Sequence, residues 1–235
     1  MNTVVEGSAK ILVPAGKVFY NPAQCVNRDL SVMVLNTFLK SYRENSKEPK
    51  VVLEALSATG LRSIRYAKEI PSVRIIANDL DPKAVDLIKK NVEEQECSSI
   101  VDTSCADANQ LMFDCILKKS FPDVIDLDPY GSASPFLDAA IQAVAEGGLL
   151  CITCTDMAVL CASYPETCLS KYLSVPVKGE ICHEMALRIV LSLAERIASK
   201  HKRYIVPLIS CSIDFYVRVF IRVFYSPQVA KHTGE

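Results

Sequence analysis

Asp126-Leu127-Asp128-Pro129-Tyr130-Gly131 sets carboxylates, a proline, an aromatic ring and a glycine together at the end of a short apolar run. A loop that only reverses the chain rarely combines them, because proline donates no hydrogen bond and aromatic rings are seldom spent on turns. The set suits an aromatic amine as substrate. Such an amine is a poor nucleophile, its lone pair being delocalised into the ring. A carboxylate and a carbonyl oxygen that accept hydrogen bonds from its N–H groups hold the nitrogen in line with a methyl donor and stabilise the positive charge that develops. Tyr130 offers a face on which a base stacks, and Asp128 is placed to take the proton. The competing reading is a buried aspartate that ties down a turn.

Other apolar runs end on residues that suit a nucleoside. Glu54-Ala55-Leu56-Ser57-Ala58-Thr59-Gly60-Leu61-Arg62 is a small-residue turn opening a helix, which lets backbone approach a ligand. It carries one glycine where a dinucleotide fingerprint needs three, so it speaks against NAD and allows a nucleoside without pyrophosphate, although a plain tight turn looks much the same. In Asn78-Asp79-Leu80-Asp81-Pro82, Asp79 is placed to accept both hydroxyls of a ribose, while Asp81, next to Pro82, suits a helix cap. In Cys105-Ala106-Asp107-Ala108, Asp107 suits an adenine amino group or a solvated turn.

Hydrolytic and metal chemistry find less support. His183-Glu184-Met185-Ala186-Leu187 opens like a zinc-protease helix but has Leu187 where a second histidine belongs, and no Gly-x-Ser-x-Gly elbow occurs. Of 10 cysteines most lie in apolar runs, and the one CxxC pair, Cys151 and Cys154, points to opposite faces of an expected strand, so no metal site is expected. The basic run Ser199-Lys200-His201-Lys202-Arg203 reads as a solvated helix end before it reads as a phosphate track.

The elements that must position these residues alternate. Strands, most of them short continuous apolar runs, are expected over 51–56, 73–78, 101–104, 124–127 and 149–154, with amphipathic helices over 82–94 and 135–145 between them. That alternation makes the class α/β with a parallel sheet, and places the residues above beyond the strands' carboxyl ends, where such sheets bind ligands. A helix over 183–198, its buried stripe at Leu187, Val190, Leu191 and Ala194, precedes strands over 204–211 and 215–224 whose short link forces antiparallel pairing. A mostly parallel sheet ending in an antiparallel hairpin strand is the Rossmann-like architecture of the class I methyltransferases. Before this core come a short strand over 10–13, a helix over 28–39 and a polar loop over 44–50.

Composition bounds the rest. The 235 residues are 50% hydrophobic and 23% charged, the balance of a globular protein. Lys and Arg number 26 against 27 Asp and Glu, a net charge of -1, so any polyanion must be held by a local patch. No apolar run is long enough for a membrane span, and the opening Met1 to Lys10 lacks the features of a secretory or transit peptide, so an intracellular protein, nuclear or cytoplasmic, is expected.

Taken together, the motifs resemble the catalytic domain of the tRNA (guanine-N2)-dimethyltransferases, which methylate the 2-amino group of the guanine at position 26 of tRNA. The resemblance runs from Glu6-Gly7 through Phe19-Tyr20-Asn21-Pro22, Asn27-Arg28-Asp29, the 54–62 turn, the 126–132 loop, Thr153-Cys154-Thr155-Asp156 and His183-Glu184-Met185-Ala186-Leu187-Arg188 to Phe215-Tyr216-Val217-Arg218-Val219. It implies S-adenosylmethionine as cofactor and tRNA as partner, with neither DNA nor membrane. It implies Asp128, Pro129, Tyr130 and Phe19 at the reacting base, Tyr130 and Phe19 flanking it, and Arg28, Arg62, Asp79, Asp107 and Ala108 around the cofactor. Phe19 as a staple of the N-terminal segment, and Arg28 as the partner of a surface acid near its helix start, are the plainer readings. Ala133 stands where the family usually has proline, and Tyr172-Leu173, read as a surface loop, where it usually has Tyr-Gly. Residues 1–44 are expected to pack as an extension on a methyltransferase domain over 45–235, with the family's C-terminal tRNA-binding domain absent. The rivals are a class I methyltransferase acting on another amino group and a non-catalytic RNA-binding relative.

Overall fold

The computed structural model describes residues 2–13, 20–44, 46 and 48–233. It forms two compact units, Met1–Leu111 and Met112–Glu235.

In the first unit, β1 (Asn2–Glu6) and β2 (Ala9–Val13) pair antiparallel through a turn in which Gly7 takes φ 54°. Helix α1 (Cys25–Ser41) follows a 3-10 turn capped by the Asn21 side chain. Then β3 (Lys50–Glu54), β4 (Val73–Asp79) and β5 (Val101–Cys105) form a parallel sheet with β4 in the middle, crossing over through α2 (Leu61–Glu69) and α3 (Pro82–Glu94). The α3 boundaries have a local cause: Asp81 accepts from the Lys83 backbone N–H, and Pro82 needs no donor partner in the first turn. Val85, Ile88 and Val92 are buried as the periodicity requires. Helix α4 (Ala108–Leu117) starts at the end of this unit.

In the second unit, β6 (Val124–Leu127) and β7 (Gly148–Cys154) run parallel around α5 (Ser134–Ala143). After α6 (Met157–Leu160), α7 (Pro165–Tyr172) and α8 (Cys182–Lys200) come β8 (Arg203–Ile213), β9 (Tyr216–Tyr225) and the short α9 (Pro227–Ala230). β9 pairs antiparallel with both β7 and β8, so the largely buried β9 lies inside and β8 forms the edge. The β8 register shifts between Pro207 and Ile209, as a residue without an N–H allows at an edge.

The chain is thus α/β, with parallel pairs followed by antiparallel C-terminal strands, as the alternation implied. Two details differ. The buried stripe of α8 is Ala186, Ile189, Val190, Leu193 and Ala194, rotated from the expected one because Leu187 and Leu191 lie at its margins. Tyr172 is not in a surface loop: it ends α7 and is 0% exposed. Among the described residues no helix is long and apolar enough to cross a membrane.

Candidate functional site

In the first unit, three strand ends are tied together by polar side chains. Asp79, the last residue of β4, accepts the Ala58 N–H on Oδ2 at 2.8 Å and the Asp81 N–H on Oδ1 at 2.9 Å. Asn78, fully buried beside it, donates to the carbonyls of Ala55 and Ala106, both at 3.0 Å. The 55–60 turn and the Ala106–Asp107 turn are therefore fastened to the end of β4. Within the turn Ala58 has φ 49° and Gly60 φ 76°, and a Cβ on Gly60 would lie 3.1 Å from Ile88, so the one glycine stands where no other residue fits well. Asn91 holds the turn from behind, donating to the Thr59 carbonyl at 2.9 Å. Asn78 and Asn91 are site-building residues that pattern reading passed over. A carboxamide at the end of an apolar strand, or on the buried face of a helix, is the signal that marks them.

Asp107 accepts the Asn109 and Gln110 N–H groups on Oδ1 at 2.9 and 3.0 Å and is exposed, which makes it the cap of α4; Ala108, buried, is that helix's first residue. Arg28 and Arg62 are engaged inside the protein. Arg28 donates twice to Glu6, at 2.6 Å each, and to the Asn21 carbonyl at 3.1 Å. Arg62 donates to Ser31 Oγ at 2.8 Å and lies 3.6 Å from Glu54, which also accepts from Ser63. The plainer reading of Arg28 thus matches its geometry, with a buried acid in place of a surface one. A groove of about 410 Å³ bordered by Lys40, Arg43, Lys50 and Ser72 lies toward the amino ends of β3 and β4, away from these strand-end residues.

In the second unit, Asp128, Pro129 and Tyr130 follow β6 directly. Pro129 is buried, Asp128 half-buried and Tyr130 is 72% exposed, so the aromatic face is presented to solvent beside the carboxylate. The loop is clamped: the Gly131 N–H donates to Thr155 Oγ1 at 2.9 Å and its carbonyl accepts the Thr155 N–H at 2.8 Å, with Gly131 at φ 75°. Asp156, next to that clamp, accepts from Tyr172 Oη at 2.6 Å. Burial first, then the neighbouring Cys154 and the bond to Asp156, push the Tyr172 hydroxyl far up, so it stays a donor. Burial likewise pushes the Cys154 thiol up to about 12, which leaves it a neutral packing group as expected of this pair. Behind the loop, Asp126 and Arg218 form a fully buried bidentate pair at 2.9 Å, and Arg218 also donates to Thr153 at 2.8 Å. Phe19 lies outside the described residues.

The comparisons agree on one family. The model for the N2,N2-dimethylguanosine tRNA methyltransferase family matches residues 1–235. The human tRNA (guanine(26)-N(2))-dimethyltransferase is 45% identical over 274 residues, taking in 94% of this chain and 42% of that protein. The mitochondrial counterpart from Saccharomyces cerevisiae is 44% identical over 277 residues, taking in 98% of this chain and 49% of that protein. Trm1 from Pyrococcus horikoshii, solved in complex with S-adenosyl-L-methionine, superposes with a TM-score of 0.90 at 36% identity over 99% of this chain and 64% of that one. The chain spans less than half the length of the two curated relatives. Fold, motifs and similarity over its whole length agree that the chain belongs to the N2,N2-dimethylguanosine tRNA methyltransferase family.

Proposed function

We propose that this chain carries the catalytic machinery of a tRNA (guanine-26-N2)-dimethyltransferase, with S-adenosylmethionine as cofactor. The observation that carries the reading is the clamped Asp128-Pro129-Tyr130-Gly131 loop, in which a half-buried carboxylate stands beside an outward-facing aromatic ring. The residues of the first unit fit the cofactor. The Asp79 carboxylate has roughly four acceptor positions, of which backbone N–H groups take two, so capacity for a ribose diol remains. Asp107 keeps Oδ2 beside the buried Ala108, where an adenine amino group would find an acceptor against an apolar wall. Arg28 and Arg62 act here by fixing α1 and α2, their guanidinium groups turned to Glu6, Ser31 and Glu54.

When bound, S-adenosylmethionine supplies the methyl group. The chain's own residues prepare the acceptor. Tyr130 stacks on the guanine, and the family resemblance implies Phe19 on its other side. Asp128 and the Pro129 carbonyl accept the two N–H groups of the exocyclic amine, which orients its lone pair and offsets the charge that grows on nitrogen. Asp128 then receives the proton. The reading places the protein where tRNA is, inside the cell, in nucleus or cytoplasm.

The test is methyl transfer from labelled S-adenosylmethionine to a tRNA with guanine at position 26, to the same tRNA with adenine there, to DNA and to protein. Label is expected in the first alone. Asp128→Asn should lower the rate about 100-fold or more while leaving S-adenosylhomocysteine affinity unchanged, because the carboxylate acts mainly in the transition state. Normal turnover by this variant, or equal labelling of the adenine-containing tRNA, would sink the reading.

A further inference from the structure

We propose that Cys161, Cys182 and His183 form a binding site for a thiolate-preferring divalent cation, zinc by the chemistry of the donors. Their ligand atoms all lie within 4.8 Å of one another. Cys161 follows the last residue of α6, while Cys182 and His183 open α8, so two elements far apart in sequence bring the three together. A tetrahedral zinc with Zn–S near 2.3 Å sets two sulfurs roughly 3.8 Å apart, which side-chain rotation reaches from this arrangement. Cys161 and Cys182 are half-buried and His183 is exposed, a combination that shields the sulfurs and leaves a path of entry. Ser212 Oγ lies 2.9 Å from His183 Nδ1, the kind of partner that fixes the tautomer of a metal-bound imidazole and leaves the lone pair on Nε2.

Two other groupings are poorer candidates, for reasons the structure supplies. Glu6, Cys25 and Asp29 also lie close, but Arg28 and Arg65 already neutralise both carboxylates. Cys151 and Cys154 have CxxC spacing, yet both are fully buried on β7, a strand that turns them to opposite faces. Glu184, next to the proposed site, is held by Arg188 at 2.7 and 3.0 Å, so water takes the fourth position. As the metal–sulfur bonds form, both thiol protons pass to solvent. A cation there would join the end of α6 to the start of α8. Helix α6 begins two residues after Thr155, which clamps Gly131, so the site would brace the loop that carries Asp128.

Cobalt(II) is the probe. Titrated into the reduced full chain, it should produce a near-ultraviolet thiolate-to-cobalt absorption with the visible bands of tetrahedral cobalt, displaced by zinc and not by magnesium. Cys161→Ser and Cys182→Ser should each weaken cobalt binding about 100-fold or more, and His183→Ala at least about tenfold. Cys105→Ser, an exposed cysteine outside the group, should change nothing. Because His183 is exposed, its variant folds whatever the cysteine variants do. The proposal is overturned by a wild-type chain with no thiolate–cobalt band, by a band that survives in the double cysteine variant or is unmoved in His183→Ala, or by recovery of Cys161 and Cys182 as a disulfide under reducing conditions.

Discussion

Arg218 and Asp126 are each 0% exposed, and a charge in that position is tolerable only when its partner is present. Asp126 interrupts Val124-Ile125-Asp126-Leu127 and Arg218 interrupts Tyr216-Val217-Arg218-Val219, so the sequence shows two opposite charges in apolar strands. That they meet depends on register: Arg218 pairs with Thr153 across β7 and β9, while Asp126 pairs with Cys151 across β6 and β7. No pattern along the chain contains that information. Asp126 stands two residues before Asp128, and fixing its carboxylate fixes the strand end from which the Asp128-Pro129-Tyr130 loop springs. Arg218→Met is therefore expected to cost about 3–5 kcal/mol in urea unfolding, since it strands a buried carboxylate. The double variant Asp126→Leu/Arg218→Met should recover most of that loss. A single variant within about 1 kcal/mol of wild type would mean that the pair contributes little to holding β6 to β9.

At the scale of elements, Glu6 at the end of β1 accepts from Arg28 of α1 and from Arg65 of α2, and Arg65 also reaches Asp29 and Glu69. Burial would raise the Glu6 carboxyl, but the two arginines outweigh it and hold it below 4.5. A depressed carboxyl stabilises the fold at all pH above its unfolded value and loses that contribution as pH falls through its folded value. Glu6→Gln is thus expected to be less stable than wild type at pH 7 by about 1–3 kcal/mol. The gap should hold down to about pH 4.5 and close below it, measured by denaturant unfolding at stepped pH. A constant gap at all pH would mean that the contribution is packing. The strand β1 in this network was not legible in the sequence: Asn2–Glu6 is mostly exposed and alternates weakly, and only its pairing with β2 makes it a strand. The strands β3, β4, β6 and β7 were legible, because largely apolar runs closed by turn residues leave little choice, whereas the polar β5, Val101–Cys105, was legible only from its place in the alternation. The small helices α6 and α7 were not: Met157–Leu160 is too short to show a period, and α7 ends at Leu173 in the left-handed region, φ 53°, where the local sequence offers no glycine to announce it.

For the molecule as a whole, a net charge of -1 leaves the grip on a polyanion to local patches, and the one compact basic run in the sequence is partly committed within the fold. Lys200 and His201 both contact Asp138, at 3.2 and 2.9 Å. Arg203 is buried and donates to the carbonyls of Ile141 and Val144, closing the C-terminal end of α5. Lys200 and Lys202 are the exposed cations of that run, Lys200 only loosely held by its surface pair with Asp138. Each phosphate contact adds a slope of about -0.7 for single strands, and about -0.9 for duplex, to log affinity against log salt. Three or four contacts from the run read at face value would give about -2 to -3, whereas the fold leaves about two contacts there, Lys200 and Lys202, so this chain should bind tRNA weakly with a slope no steeper than about -2. Lys202→Ala should change the slope by no more than about one contact's share. The measurement is filter binding across a salt series with a tRNA carrying guanine at position 26. A slope steeper than about -4 would place several phosphate contacts elsewhere on these 235 residues, and a basic surface that neither charge balance nor the 199–203 run reveals would then have to be sought among Lys83, Lys89 and Lys90 of α3 and the Lys118-Lys119 pair that follows α4.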